Sequence, residues 1–209
     1  MMADEVDSAD AARLRRAVRS LDDPPSAPGW NAGELADVFD THGARRAAAV
    51  LVPLVRRESM LSVLFTRRNP SLRQHAGQIS FPGGGVEEGD ADAIAAALRE
   101  TEEETGIAQG LIEPFGYLDC FDTVSGYRVT PVAGFVRADY SLRLQEAEVD
   151  EVFEVPLAFI LEPESLKREH LLWRGRERDI FAIEWENRRI WGATAAILKN
   201  LLDRLEKVR

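Results

Sequence analysis

The sequence predicts an α+β fold, and three stretches of the chain carry that prediction. Two apolar runs typical of strands, Arg46–Val55 and Leu61–Thr66, are separated by a short polar segment and predict a β-hairpin. A glycine-rich turn at Gly83–Gly85 precedes a helical stretch that should end at Gly106, because glycine readily adopts the left-handed C-cap. An amphipathic pattern over Thr194–Val208 predicts a closing helix.

Less regular patterns fill in the rest of the chain. They predict, in chain order, an amphipathic helix over Ser8–Leu21 capped by Ser8, a linker at Pro24–Gly29, a short helix over Glu34–Asp40, a surface helix between Pro156 and Glu169, and short strands at Phe181–Trp185 and Arg189–Trp191. The length suits one domain with modest extensions. We therefore divide the chain into an N-terminal helical extension and linker, residues 1–44, and one domain, residues 45–209.

Composition argues against several classes of function. The 209 residues carry a formal net charge of -10, which disfavours a general affinity for nucleic acid or an anionic membrane surface. Cys120 is the single cysteine, so an internal disulfide and a thiolate metal cluster are excluded. No apolar run reaches the roughly 18 residues of a membrane span, and the N-terminus is acidic, unlike a signal or transit peptide. We therefore expect a cytoplasmic protein without nucleic-acid or membrane partners.

The end of the helix after the glycine turn has an unusual density of acids. Its last turns contain Glu100, Glu102, Glu103 and Glu104. There the helix dipole is already negative, and like charges three and four positions apart repel. All of these glutamates except Glu102 fall on one helix face, and three carboxylates together suit a hard divalent cation, Mg²⁺ or Mn²⁺. Arg99 lies next to them and can orient one carboxylate; an acidic solvent-exposed face is the alternative interpretation.

The segment between the second strand and the glycine turn is long, aperiodic and basic. It contains Arg67, Arg68, Arg73 and His75. Long loops without regular periodicity are often functional. Because this one directly precedes the glycine turn, we expect a substrate loop. A solvated loop with scattered arginines is the alternative.

The segment from the glycine turn to Ile107 resembles the Nudix box. The pattern of that box is glycine, five residues, glutamate, seven residues, and then Arg-Glu-apolar-x-Glu-Glu-x-Gly-apolar. Residues 99–107, RETEEETGI, fill the second half, with Thr101 where an apolar residue is usual. In the first half, five residues after Gly84 are followed by Asp90 rather than glutamate, and eight residues rather than seven then precede Arg99.

The residues upstream of the box resemble a second signature, that of the coenzyme A pyrophosphatase branch of the Nudix superfamily. That signature reads approximately LLTxR(S/A)xxxRxxxGxxxFPGG. Residues 64–84 match its spacing, with Arg68 and Arg73 at its two arginine positions. Phe65 replaces a leucine, and Asn69 replaces the small residue. The longer spacing inside the box is also a tendency of this branch.

The resemblance, which extends over residues 45–201, implies a fold and a reaction. The fold is a mixed β-sheet sandwiched between α-helices, with the box as a loop–helix–loop motif. The reaction is metal-dependent hydrolysis of the pyrophosphate bond of coenzyme A and its derivatives, giving 3′,5′-ADP and 4′-phosphopantetheine or acyl-phosphopantetheine. The implied partner is therefore a small nucleotide substrate of the coenzyme A class. Nudix hydrolases often form homodimers, although the sequence shows no interface signature.

The resemblance also implies roles for individual residues. The ligands of Mg²⁺ or Mn²⁺ would be Glu100, Glu103 and Glu104, and the catalytic set would add Arg99 and Glu148 to these. Substrate would be bound by Gly83 and Gly84, where the backbone allows close approach, and by the guanidinium groups of Arg67, Arg68 and Arg73, which suit phosphate oxygens.

The group that deprotonates the attacking water is left open by the sequence. One candidate is a box glutamate, and the other is an acid from a later loop. Among the later acids, Glu148 opens a predicted strand that could end near the metal, and Glu146 and Glu151 are its rivals; a plain surface acid is the alternative interpretation of each. His75 is a further candidate from its loop. The remaining histidines are interpreted as structural: His42 and His170.

Two alternatives to a coenzyme A pyrophosphatase stay open. One is a Nudix hydrolase for another substrate, such as ADP-ribose, a dinucleoside polyphosphate, a nucleoside triphosphate or an RNA cap. The other is a binding or regulatory Nudix domain that has lost catalysis. The complete set of box glutamates argues against the second alternative, and the negative net charge argues against RNA.

Overall fold

The computed structural model describes residues 2–26, 28–38, 44–58, 60–72, 74–173 and 175–208. The helices are α1 (Met2–Ala17), α2 (Ala93–Thr105), α3 (Leu157–Ile160) and α4 (Ala193–Lys207), with 3₁₀ turns at Ala32–Leu35 and Gln109–Leu111. The strands are β1 (Arg46–Arg56), β2 (Leu61–Arg68), β3 (Ile79–Ser80), β4 (Gly83–Gly85), β5 (Ile112–Tyr117), β6 (Phe121–Asp122), β7 (Tyr127–Arg137), β8 (Val149–Pro156), β9 (Leu166–Trp173), β10 (Arg176–Trp185) and β11 (Arg188–Trp191).

The main sheet is mixed, as the α+β prediction requires. Its strand order is β3-β2-β1-β7-β5, and β4, β6 and β8 join it on β1, β7 and β2, respectively. The predicted hairpin of β1 and β2 is antiparallel, whereas the long pair of β1 and β7 is parallel. The sheet therefore has β1 at its centre, and the glycine turn is attached to that central strand through β4.

Helices cover both faces of the main sheet because successive side chains of a strand point to opposite sides. Ala48, Val52 and Leu54 of β1 belong to the core shared with α1 and α4. Ala49 and Leu51, from the same strand, belong to the core shared with α2. This arrangement confirms the expected sheet sandwiched between helices, and it places the box helix on one face only.

A second sheet of three strands, in the order β11-β10-β9, corrects the prediction of a helix extending to Glu169. The helix ends early, at Ile160, and the Ser165 hydroxyl donates to the Ile160 carbonyl in the turn that follows. From Leu166 the chain pairs with β10, with Leu166 opposite Ile183. The two predicted short strands are present, and the first extends back to Arg176.

The N-terminal residues are held against the domain by specific bonds. Helix α1 spans Met2–Ala17, so the predicted bounds Ser8–Leu21 are wrong at both ends. It stops because the backbone of Arg19 pairs with Tyr117, each N–H donating to the other carbonyl, at 2.8 and 3.0 Å. Further on, the Asn31 side chain bonds both the N–H and the carbonyl of Asp122, each at 2.8 Å.

The helix predicted at Glu34–Asp40 is a 3₁₀ turn over Ala32–Leu35, and Asp40 falls outside the described residues, as does His42. None of the helices in the described ranges is long and apolar enough to cross a membrane.

Candidate active site

The box helix α2 is fixed at both ends by local signals. The Asp92 carboxylate caps its N-terminus by accepting a hydrogen bond from the Ala95 amide at 2.8 Å. Gly106 ends it in the left-handed conformation, with a φ of 78°. In between, Thr101 is fully buried, and its hydroxyl donates to the Ala97 carbonyl at 2.6 Å. This bond explains how a polar residue is accommodated at a position of the box that is usually apolar.

The glycine turn lies directly between the central strand and the box helix. β4 pairs with β1, with Gly83 opposite Val50. Gly83 has a φ of 151°, and a Cβ atom there would come within 2.3 Å of the Ala49 carbonyl oxygen. A Cβ atom on Gly84 would come within 2.4 Å of a carboxylate oxygen of Glu100. The backbone of Gly84 therefore approaches Glu100 more closely than a residue with a Cβ atom would allow.

The three predicted metal ligands differ strongly in exposure. The Glu103 side chain is 52% exposed and that of Glu100 is 16% exposed, whereas Glu104 as a residue is only 4% exposed. Glu104 accepts one hydrogen bond, from the Gly83 amide at 3.3 Å. Burial raises the pKa of the Glu104 carboxyl to about 8 and also raises the pKa of Glu100. The site therefore holds a buried carboxylate without a paired cation among the described residues.

Arg99 is held by Asp90, the acid in the first half of the box. Its Nε and Nη2 atoms donate to the two carboxylate oxygens of Asp90, each at 3.0 Å, and Nη2 also donates to the Gly85 carbonyl. The hydrogen bond from Arg99 lowers the pKa of Asp90. With these atoms fixed, Nη1 is left to reach Glu100 at 3.0 Å and Glu103 at 3.2 Å. Asp90, the acid reached five residues after Gly84, is thus the side chain that fixes Arg99.

A loop at the C-terminal end of α2 carries Glu148, and we refer to residues 141–148 as the acid loop. Burial is the main cause of the raised pKa values of Glu100 and Glu104, and the negative charge of Glu148 contributes to both. The rival Glu151 is instead held by Arg188, at 2.6 Å, and by a second arginine. For Glu146 the described bond involves its backbone carbonyl. The structure therefore brings Glu148, rather than these two rivals, to the box glutamates.

The arginines expected at the substrate loop have different surroundings. Arg67 donates twice to Asp150, at 2.6 and 2.9 Å, and lies 3.3 Å from Glu151. The positive charge of Arg68 acts on Glu104, and its buried Nε has no hydrogen-bond partner among the described residues. Arg73 lies outside the described residues. Of the two arginines that the structure describes, it thus brings Arg68 to the acidic cluster.

His75 lies in the same loop as a backbone outlier. Its φ is 57°, which is uncommon for a residue other than glycine. Its Nδ1 atom lies 2.6 Å from the side-chain oxygen of Gln78, so the ring is engaged within its own loop. The other described histidine, His170, lies 2.9 Å from Asp179 in the three-stranded sheet.

The donor set fits a hard divalent cation. Carboxylate oxygens are the preferred ligands of Mg²⁺ and Mn²⁺, and the buried charge of Glu104 favours a cation beside it. Among the described residues, no three acidic, histidine or cysteine side chains converge in a ready metal-binding geometry. These carboxylates do not converge because the guanidinium group of Arg99 holds Glu100 and Glu103. Binding a cation would require these two carboxylates to reorient.

Comparison with known proteins identifies the family. A model of the NUDIX domain matches residues 44–179. The Nudix hydrolase NudL of Escherichia coli (strain K12), described as uncharacterized, is 46% identical over 159 residues, which cover 75% of this chain and 81% of that protein. NudL of Shigella boydii serotype 18 matches with the same identity and coverage. This chain belongs to the Nudix family.

The fold of this Nudix protein also has a relative among solved structures. A MutT/nudix family protein from Enterococcus faecalis matches with a TM-score of 0.50 and 19% identity, over 81% of this chain and 65% of that one. Nudix hydrolases are pyrophosphohydrolases that act on small nucleotide-derived substrates and generally use divalent metal ions. The acidic face of α2 is therefore the candidate active site of such a hydrolase.

Sequence reasoning missed two residues that shape this site. Asn69 bonds the acid loop from outside, Gln145 bonds Glu148 within that loop, and neither was singled out as functional. Asn69 could have been noticed as the residue that replaces a small one in the upstream signature. Gln145 carries no comparable signal, because only the folded chain brings its amide to the end of α2.

Proposed function

We propose that this Nudix hydrolase cleaves the pyrophosphate bond of coenzyme A and its acyl derivatives, giving 3′,5′-ADP and 4′-phosphopantetheine or acyl-phosphopantetheine. The observation that carries the proposal is Arg68. It is an arginine of the upstream signature, its charge acts on the buried Glu104, and its Nε has no hydrogen-bond partner among the described residues. A guanidinium group beside the acidic cluster suits a phosphate oxygen. We assign this activity to residues 45–209 and treat residues 1–44 as an extension.

The metal would be held by Glu100, Glu103 and Glu104. Bound there, Mg²⁺ or Mn²⁺ supplies charge neutralisation for the pyrophosphate and lowers the pKa of a water molecule. Arg99, itself fixed by Asp90, orients the first two of these carboxylates through its Nη1 atom. Glu100 and Glu103 would turn from Arg99 toward the cation without leaving the site. Their negative charge would therefore stay close to the cation.

Other side chains handle the proton and the substrate. The Glu148 carboxylate accepts the proton of the attacking water, since its charge acts on both Glu100 and Glu104. We assign the backbone of Gly83 and Gly84 to substrate binding. The absence of Cβ atoms lets this turn pack closely against Ala49 and Glu100. Arg68 and Arg73 bind phosphate groups, including the 3′-phosphate. Arg67 contributes less in this scheme, because two carboxylates already hold it.

The proposal is tested by a hydrolysis screen with Mg²⁺ and with Mn²⁺. Coenzyme A, 3′-dephospho-coenzyme A, ADP-ribose and diadenosine polyphosphates are compared, and products are identified by mass. We expect coenzyme A to be the best substrate and to yield 3′,5′-ADP. Cleavage of ADP-ribose with coenzyme A left intact would overturn the substrate assignment.

Adjacent arginines provide a matched pair of variants for the binding role. Arg68→Ala should raise the KM for coenzyme A by about tenfold, the value of one charge-assisted hydrogen bond of roughly 1.5 kcal/mol. Arg67→Ala should have a much smaller effect, because its guanidinium group is neutralised by Asp150 and Glu151. Equal effects of the two substitutions would remove the assigned role of Arg68.

A further inference from the structure

Asn69 connects the substrate loop to the acid loop through two hydrogen bonds and makes a third within its own loop. Its backbone N–H donates to the Glu148 carbonyl at 2.8 Å. Its side-chain Nδ2 donates to the Glu146 carbonyl at 2.6 Å. Its side-chain oxygen accepts from the Ser71 amide at 2.8 Å, which closes the turn that begins the substrate loop. One residue therefore anchors both loops immediately after Arg68.

The acid loop has a second anchor on the box helix. The Gln145 amide donates to the Glu104 carbonyl at 3.1 Å, and the Arg143 amide donates to the Thr105 carbonyl at 2.8 Å. These bonds satisfy carbonyl groups that the end of a helix leaves without partners. The Gln145 side chain also donates to the Glu148 carboxylate at 3.2 Å. The acid loop is thus held by α2 on one side and by Asn69 on the other.

We infer that Asn69 is a positioning residue, which through the Glu146 and Glu148 carbonyls fixes where the Glu148 carboxylate lies relative to the box glutamates. The inference rests on the proposed function insofar as Glu148 accepts the proton of water. The upstream signature has a small residue at this position, whereas this chain has an asparagine whose side-chain nitrogen makes the bond to Glu146. A serine would retain an oxygen for the Ser71 amide but would lack the nitrogen that bridges to the acid loop.

A double-mutant cycle separates this role from a general effect on the fold. Turnover of coenzyme A is measured for the unmodified chain, for Asn69→Ser, for Glu148→Gln and for the double variant. We expect Asn69→Ser to lower kcat about three- to tenfold with little change in KM, which corresponds to loss of one ordinary hydrogen bond. In the Glu148→Gln background Asn69→Ser should have no further effect. Additive losses would overturn the inference.

Hydrogen exchange provides a readout that needs neither metal nor substrate. Asn69→Ser should speed amide exchange in peptides covering the acid loop and leave the β5 and β7 peptides unchanged. Asn187→Ser, the same substitution in the exposed turn between β10 and β11, is the matched control and should leave the acid loop unchanged. Unchanged exchange of the acid loop in Asn69→Ser would contradict the positioning role.

The double-mutant cycle and the hydrogen-exchange measurement together distinguish failure of this inference from failure of the proposed function. If the unmodified chain leaves coenzyme A intact, the substrate assignment fails, and hydrogen exchange alone decides the role of Asn69. If Glu148→Gln turns over normally, the assignment of Glu148 fails, and with it the inference that Asn69 acts through that carboxylate. If Glu148→Gln is impaired while Asn69→Ser is normal in both measurements, the inference about Asn69 is wrong and the proposed function stands.

Discussion

The box helix and the three-stranded sheet differ in how their charged side chains are paired. In the three-stranded sheet acids and bases are paired: Arg168 with Asp179, and Arg189 with Glu169 and Glu184. At the box helix, Arg99 is shared among three carboxylates. Among the described residues, Glu104 has one hydrogen-bond partner, the backbone amide of Gly83. Paired charge on an exposed sheet contributes little energy and serves solubility, whereas unbalanced charge in a partly buried site creates affinity for a cation.

The largest expected effect comes from replacing Glu104, the buried box glutamate. Glu104→Gln keeps the size of the side chain and an oxygen for the Gly83 amide, but it removes a carboxylate that we propose as a metal ligand. Turnover should fall by roughly a hundredfold or more, since even partners of metal ligands are typically worth about 10- to 100-fold. Steady-state kinetics with saturating Mg²⁺ measure the loss. Turnover close to that of the unmodified chain would refute the assignment of the metal site.

A smaller loss is expected when the glutamates are kept but one of them is displaced. Gly84→Ala places a Cβ atom within 2.4 Å of the Glu100 carboxylate, so that carboxylate must move. A displacement of this kind can cost up to about a hundredfold in rate. Gly85→Ala is the control, because a Cβ atom there meets nothing within 4 Å. Comparable kinetics for the two variants would show that the close approach of Gly84 is unimportant.

Burial of the Glu104 carboxyl group should also make the stability of the metal-free protein depend on pH. Burial raises the pKa of Glu104 from 4.5 to about 8, so between these values the folded protein holds a proton that the unfolded chain has lost. Stability therefore falls as the pH rises from about 4.5 to about 8. Glu104→Gln removes this penalty. In the presence of a chelator, its Tm should exceed that of the unmodified chain at pH 8 and not at pH 5; an equal difference at both values would contradict the pKa argument.

The smallest effect is expected in the paired region. Glu169→Gln removes one carboxylate from Arg189, which retains Glu184 at 3.3 Å. An exposed pair contributes about 0–1 kcal/mol, which corresponds to a Tm change of at most about 4 °C for a chain of this size. Turnover should be unchanged. A loss of turnover would mean that the three-stranded sheet contributes to the site and would weaken the contrast drawn above.

Elements with local signals were predictable from the sequence, and elements that depend on distant pairing were not. The end of α2 follows from Gly106, and its start from a capping aspartate, for which the sequence offers Asp90 or Asp92 and the structure uses Asp92; such capping preferences act within a few residues. The β9 strand was predicted as helix because its pairing with β10 across the Gly175 turn is not visible in its own residues. Helix α1 ends early for a similar reason, since Tyr117 is far away in sequence.

At the site, helical spacing predicts which glutamates share a face, but it does not predict which of them is buried. Ala97, Thr101 and Glu104 follow at intervals of four and three, and all are buried. Reading that stripe through to Glu104 would have identified the inner carboxylate. The sequence predicts Glu148 as a catalytic acid but cannot decide between it and its rivals, because its position depends on bonds from Asn69 and Gln145.

The contact of helix α1 with α4 has a consequence for protein synthesis. The Arg13 side chain donates to the Leu205 carbonyl, 192 positions later in the chain, and Leu14 shares a core with Leu205. At ordinary translation speeds of about 5–20 residues per second, roughly 10–40 s pass before that partner emerges from the ribosome. During this time the apolar stripe of α1 is without its final neighbour, so the nascent chain is open to chaperones until the last helix arrives.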